Sequence, residues 1–160
     1  MVDDNYLEIY TDGSCFNNGK KGANGGIGIN FPSFPSLNFS GKVSGKQTNQ
    51  RAELEAILKA LQICEYNSQI KNKKIKIYSD STYSINTITK WMSSWKNNGW
   101  KKRDGKEIAN IDLIQALYDK MKDTRTRLGR GTIKFEHVKG HSNDPNNDLA
   151  DYLARKGSEM

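Results

Sequence analysis

The sequence predicts an α/β domain built on one mixed five-stranded β-sheet flanked by helices, and three observations predict it. Two strand-like runs share one ending. Ile9-Tyr10-Thr11-Asp12-Gly13-Ser14 and Ile77-Tyr78-Ser79-Asp80-Ser81-Thr82 both read Ile-Tyr-hydroxyl-Asp, then a small residue, then a hydroxyl. Three strand-like runs follow one another before the first helical pattern, as in an antiparallel meander. After that helix, strands and helices alternate. A chain of 160 residues is long enough to bury a core, and residues 1–160 are expected to form one domain.

Each element has its own signal. Residues 6–12 alternate, with Leu7, Ile9 and Thr11 on one face and Tyr6, Glu8, Tyr10 and Asp12 on the other. Gly13 is expected to end this strand. Gly25 to Phe31 reads as a glycine-rich strand, whose missing side chains let a backbone or a ligand come close. Pro32 and Pro35 end it, and Leu37 to Ser44 reads as the third strand. Thr48 caps a helix whose buried stripe is Leu54, Ile57, Leu58, Leu61 and Cys64. Lys74 to Ser79 is the strand that ends at Asp80. A helix is expected from about Ser81 to Trp95 and another from Ile108 to Lys122, then a polar, basic loop from Asp123 to Gly131. Thr132 to Val138 reads as the last strand and Asn147 to Lys156 as the last helix.

Composition limits the function. Lys and Arg number 25 against 18 Asp and Glu, a net charge of +7, which suits a polyanionic partner as well as plain solubility. The two cysteines, Cys15 and Cys64, form no metal or disulfide pattern, which suits a reducing compartment. No apolar run approaches the roughly 20 residues of a membrane span, and the start, Met1-Val2-Asp3-Asp4-Asn5, is unlike a signal peptide. The expectation is an intracellular protein, cytoplasmic or nuclear, neither secreted nor bound to a membrane.

The repeated Asp is where chemistry is expected. If the two strands are parallel neighbours, Asp12 lies beside Asp80, and two like charges that close are costly unless a cation lies between them. Ordinary turn chemistry also places Asp before Gly or Ser. Glu53 sits next to the apolar stripe of its helix, so a solvated face explains it less well than Glu55 or Glu65. In the last helix Asn147 and Asp151 share a face, and Asp148 sits where the helix dipole favours a carboxylate.

Taken in order, Asp12-Gly13-Ser14, Thr48-Asn49-Gln50-Arg51-Ala52-Glu53, Tyr78-Ser79-Asp80-Ser81, Gly140-His141-Ser142 and Asn147-Asp148-Leu149-Ala150-Asp151 resemble the motif set of type 1 ribonuclease H. The resemblance runs from about Tyr6 to Gly157. It implies the ribonuclease H-like fold, with the first strand beside the fourth. It also implies a Mg²⁺-dependent endonuclease that cuts the RNA strand of RNA–DNA hybrids and leaves a 3′-hydroxyl and a 5′-phosphate. Asp12, Glu53, Asp80 and Asp151 would hold two Mg²⁺ ions, with Mn²⁺ as a substitute, and His141 would handle a proton or assist product release. A monomer is expected. Two rival readings are a non-catalytic nucleic-acid-binding domain on the same fold and a DNA-directed or integrase-like nuclease. The full carboxylate set speaks against the first.

The substrate surface has signals of its own. Trp91, Trp95 and Trp100 fall within ten residues, among Lys90, Lys96, Lys101, Lys102, Arg103 and Lys106. Aromatics among bases suit a groove that tracks a nucleic-acid backbone. Trp91 and Trp95 share a helix face and are read as that groove, whereas Trp100 is read as a core anchor. The resemblance makes this segment a basic protrusion contacting the DNA strand, and puts Lys46, Thr48 and Asn110 in a pocket for a DNA phosphate. Asn18, Asn49 and Gln50, with backbone groups near Cys15 and Asn17, resemble readers of RNA 2′-hydroxyls, because amides both donate and accept as that group does. The basic segment Lys120 to Lys134 is read either as a further nucleic-acid contact or as a solvated loop. His137 is read as structural.

Overall fold

The computed structural model describes residues 6–140 and 143–160. Five strands form one sheet: β1 Tyr6–Phe16, β2 Asn24–Asn30, β3 Phe39–Lys42, β4 Lys74–Ser79 and β5 Ile133–His137. Their order is β3-β2-β1-β4-β5. β1, β2 and β3 pair antiparallel, while β1–β4 and β4–β5 pair parallel, so the sheet is mixed as expected. The register sets Ile9 against Ile77 and Tyr10 against Tyr78, so the repeated sequence is a repeated position in space. The two tyrosine rings stack at 4.4 Å and 7°.

The alternation of β1 divides the molecule into layers. Leu7 and Ile9 face the main core, with Ile29 and Ile77 from the sheet and Leu54, Ile57 and Leu61 from α1 (Asn49–Tyr66). Tyr10 and Tyr78 face the other way, against Ala150 of α5 (Pro145–Ser158). The glycines of β2 let α5 approach. A Cβ on Gly26 would lie 2.1 Å from the Ala154 carbonyl oxygen, and one on Gly28 would lie 2.2 Å from that of Ala150. The close approach expected of this strand is therefore made by a helix backbone.

β3 is shorter than the expected Leu37 to Ser44, because Pro35–Leu37 form a 3₁₀ turn before it. Three further differences from expectation bear on the site. β1 does not stop at Gly13. Its parallel ladder with β4 ends at Tyr10, but its antiparallel ladder with β2 continues to Phe16. Asp12 therefore lies just beyond the parallel ladder, though inside the strand. The helical run after Asp80 is not uniform: α2 (Thr82–Asn86) passes through a π-helical turn, Thr87–Trp91, into α3 (Met92–Asn97). The hydroxyls of Thr87 and Thr89 donate to the carbonyls of Tyr83 and Ile85, which competes with the ordinary ladder.

The third difference concerns Asp123 to Gly131, expected as a loop. α4 spans Ile111–Leu128, so most of that segment is helix. Met121 and Thr124 are buried and Leu128 packs on the core, which continues the stripe of Ile114 and Leu117. Lys122 and Arg125 form the solvent side, while Lys120 and Arg127 are half-buried. α4 starts later than expected because Asn110 is left-handed, at φ 60°.

Candidate active site

Asp12 and Glu53 are buried, 3% and 9% exposed, and Asp80 is half-buried. One carboxylate oxygen from each lies within 4.8 Å of the others. The backbone builds this cluster. β1 and β4 bring Asp12 and Asp80 to the same end of the sheet, and α1 crosses β1 at Gly13 and delivers Glu53. The Gly13 N–H donates to both Asp12 Oδ1 and Glu53 Oε1, at 3.0 Å each. A Cβ on Gly13 would lie 2.4 Å from the Glu53 nitrogen, so the residue is glycine because a helix backbone lies against it.

The electrostatics are those of crowded anions. Burial pushes Asp12 up to about 8, and the charges of Asp80 and Asp151 push the same way, while a hydrogen bond with Glu53 opposes them. Glu53 is raised well above the ordinary range, by burial first and then by the charge of Asp12. Asp80 is raised by burial and by Asp151, and its hydrogen bond with Asp12 opposes this. Glu53 Oε2 is buried with no hydrogen-bond partner. Hard oxygen donors of high negative charge, one of them unspent, fit a divalent metal ion.

Asp151 is not in that tight cluster. It is half-buried on α5 and pairs with Arg155 at 2.9 Å, although its charge reaches both Asp12 and Asp80. Its rival Asp148 is exposed in the first turn of α5. His141 lies outside the described residues. His137, read as structural from its strand pattern, is exposed at the end of β5, and its Nε2 lies 3.2 Å from the Asp80 carbonyl oxygen.

A groove lined by Gln50, Tyr83, Trp91, Trp95, Lys102 and Ile108 lies one helical turn from Glu53. Trp91 is 38% exposed, as expected. Trp95 corrects the reading: it lines the groove and also packs on the core, so it is in part an anchor. Trp100 is half-buried against the core, edge-on to Tyr118 at 5.6 Å. Tyr83 was not anticipated. The π-helical turn brings its ring to 6.1 Å from Trp91, which in turn is 5.9 Å from Trp95.

The remaining predicted residues divide between free and engaged. Lys46, Asn49 and Gln50 have exposed side chains. Asn18 Oδ1 accepts from the Asn49 N–H at 3.0 Å, so it already holds the start of α1. Asn17 is a left-handed turn residue at φ 57°, and Cys15 is half-buried at the end of β1. Thr48 caps α1 by accepting from Arg51 N, and Asn110 opens α4 with no side-chain cap bond. Sequence reasoning missed what links these pieces. The buried Arg51 guanidinium donates to both carboxylate oxygens of Asp112, at 2.9 and 3.0 Å, and to the Ser44 carbonyl. This clamp ties the Lys46 loop and the start of α1 to the start of α4. Nothing in the sequence signals a pair 61 residues apart.

A mixed sheet in this order, with acidic side chains gathered at the end of its central parallel pair, defines a ribonuclease H-like α/β protein. The solution structure of the PFV RNase H domain shares the fold, with a TM-score of 0.73 at 24% identity over 96% of this chain and 94% of that one. The RNase H family model matches residues 4–159, and the chain belongs to that family. It is 40% identical to Ribonuclease H1 of Homo sapiens over 97% of this chain and 51% of the human protein. It is also 40% identical to Ribonuclease H of Haemophilus influenzae, over 96% of this chain and 90% of that one. The chain thus spans about half the length of the human relative and most of the bacterial one. Among the described residues, no helix is long and apolar enough to cross a membrane.

Proposed function

We propose that the chain hydrolyses the RNA strand of RNA–DNA hybrids endonucleolytically, as a monomeric single catalytic domain over residues 1–160 in the cytoplasm or nucleus, leaving 3′-hydroxyl and 5′-phosphate ends. The observation that carries this reading is the unneutralised carboxylate cluster of Asp12, Glu53 and Asp80, one turn of α1 from an aromatic groove. Family membership and the activity for which the relatives are named support it.

Asp12, Glu53, Asp80 and Asp151 would hold two Mg²⁺ ions, for which Mn²⁺ would substitute. Bound there, the ions supply an activated water and charge stabilisation at the attacking and leaving oxygens. The chain's own residues do the rest. Gly13 N–H fixes the orientation of two carboxylates before substrate arrives. Asn49 and Gln50 offer amides to the RNA 2′-hydroxyls, while Asn18 and the backbone near Cys15 and Asn17 shape that surface. Trp91 and Trp95 pack on the DNA strand, and Lys46, Thr48 and Asn110 receive one of its phosphates, held in place by the Arg51 clamp. His141 is assigned to proton handling at the departing 3′-oxygen or to product release.

Incubation with end-labelled hybrid, duplex RNA and duplex DNA, each with and without Mg²⁺, tests the proposal. Only the RNA strand of the hybrid should be cut, and only with metal. Equal cutting of duplex DNA would overturn it.

A further inference from the structure

Cations gather at the end of the sheet opposite the carboxylates. Lys71, Lys73 and Lys74 lead into β4, Arg127 lies in the last turn of α4, and Arg130 and Lys134 flank the start of β5. Contacts join them into one patch. Arg127 Nε donates to the Lys71 carbonyl at 3.2 Å. The Tyr6 hydroxyl donates to the Gly131 carbonyl at 2.8 Å, beside Arg130. Two ammoniums share the Tyr6 ring, Lys134 at 4.4 Å and Lys74 at 5.7 Å from its centroid.

These charges are not neutralised internally. Among the described residues, none of the six forms an ion pair. Of the nearby acids, Glu136 pairs with Lys76 and Glu65 with Lys120, though the Glu65 charge also reaches Arg127 and Lys71. Arg127 Nη2 is enclosed without an acceptor. Asp3 and Asp4 precede Tyr6 in the chain, outside the described residues, and six cations still exceed them by four. Two ammoniums over one ring repel each other, and a polyanion laid across them would relieve that repulsion. Tyr6 and Asp12 are six residues apart on one strand, about 20 Å at about 3.3 Å per residue. The patch therefore lies well out of reach of a phosphate held at the carboxylates.

We propose that this basic end of the sheet is a second nucleic-acid contact, which grips the phosphates of a separate duplex segment so that one protein molecule bridges two segments. The proposal rests on the reading above only in that the first segment is a hybrid held at the groove.

A bridging assay tests it. Hybrid tethered to beads captures the protein, and a labelled DNA duplex is added at low salt. The parent protein carries Asp12→Asn so that the tether is not cut, and a second protein adds K73Q, K74Q, R130Q and K134Q. The parent should retain the labelled duplex. The second protein should load the beads equally, melt at the same temperature and retain at least about tenfold less duplex, because each neutralised phosphate contributes about 0.9 to the salt slope. With Asp12 restored, the four substitutions should leave cleavage of a short hybrid unchanged. Equal retention by both proteins, or none by the parent, would overturn the proposal. So would displacement of the duplex by polyglutamate at matched charge, which would mark the patch as a site for acidic protein. If the parent fails to bind the tethered hybrid, the functional reading is what fails. The patch is then judged by anisotropy of the free labelled duplex, where the same tenfold loss is required.

Discussion

The carboxylate cluster and the aromatic groove are neighbours on α1, yet they are built in opposite ways. Asp12, Glu53 and Asp80 are buried, mutually repelling and fixed by backbone: two strands, one helix crossing and one shared N–H. Tyr83, Trp91 and Trp95 form a half-exposed surface beside Lys102, held by side-chain packing and a π-helical turn. The first arrangement sacrifices stability for a fixed geometry that a cation can complete. The second tolerates change, because aromatic faces accept any base or sugar. A single atom should therefore matter at the cluster, and whole rings should be needed to show an effect in the groove.

The largest expected effect tests the cluster. Asp12→Asn should lower hybrid cleavage by at least about 10³-fold, about 4 kcal/mol of transition-state stabilisation, while hybrid binding survives. Near-normal turnover would show that Asp12 is not a metal ligand.

The same substitution should stabilise the metal-free protein. Asp12 is held at about 8 against its ordinary value of 3.8, so across that window the folded chain binds more protons than the unfolded chain. Stability contributed by this group is therefore lost as pH rises from about 4 to 8. At pH 8, Asp12→Asn should raise unfolding free energy by about 2–6 kcal/mol, the upper end being about four pH units at about 1.4 kcal/mol each. Denaturant melts without metal at pH 5 and pH 8 would check this. An equal effect at both pH values would refute the repulsion argument.

The smallest effect tests the groove. Trp91→Ala with Trp95→Ala should weaken hybrid binding, with about 1–3 kcal/mol for each stacked ring and little change in salt slope. Neutralising Lys101 and Lys102 should instead flatten that slope by about one unit for each phosphate they no longer neutralise. Because Trp95 also touches the core, the single Trp91→Ala variant separates binding from folding. If Trp91→Ala melts normally and binds normally, the groove is not a substrate channel.

Much of this was legible in the sequence because it follows from short-range pattern. The Ile-Tyr-hydroxyl-Asp repeat became a register, and the alternation in β1 became two layers. Glu53 was placed at the helix–sheet seam by its position beside an apolar stripe. Misreadings arose where two explanations share one residue. Gly13 looked like a strand end but is a close approach. Arg125 looked like loop but is on the wet side of a helix whose dry side includes Thr124. The Arg51–Asp112 clamp and the place of Tyr83 depend on three-dimensional neighbours and a π-helical turn, which no local spacing encodes.

The crowding of every tryptophan into residues 91–100 has a spectroscopic consequence. Near the main sheet the chromophores are tyrosines, with Tyr10 and Tyr78 stacked on the α5 side. Light absorbed at the red edge excites indole alone, so the emission of this protein reports one corner of it. A shift on adding hybrid would come from the groove without any attached label. A thermal transition followed at that wavelength would record the departure of α3 and the loop behind it, which can precede the loss of the sheet.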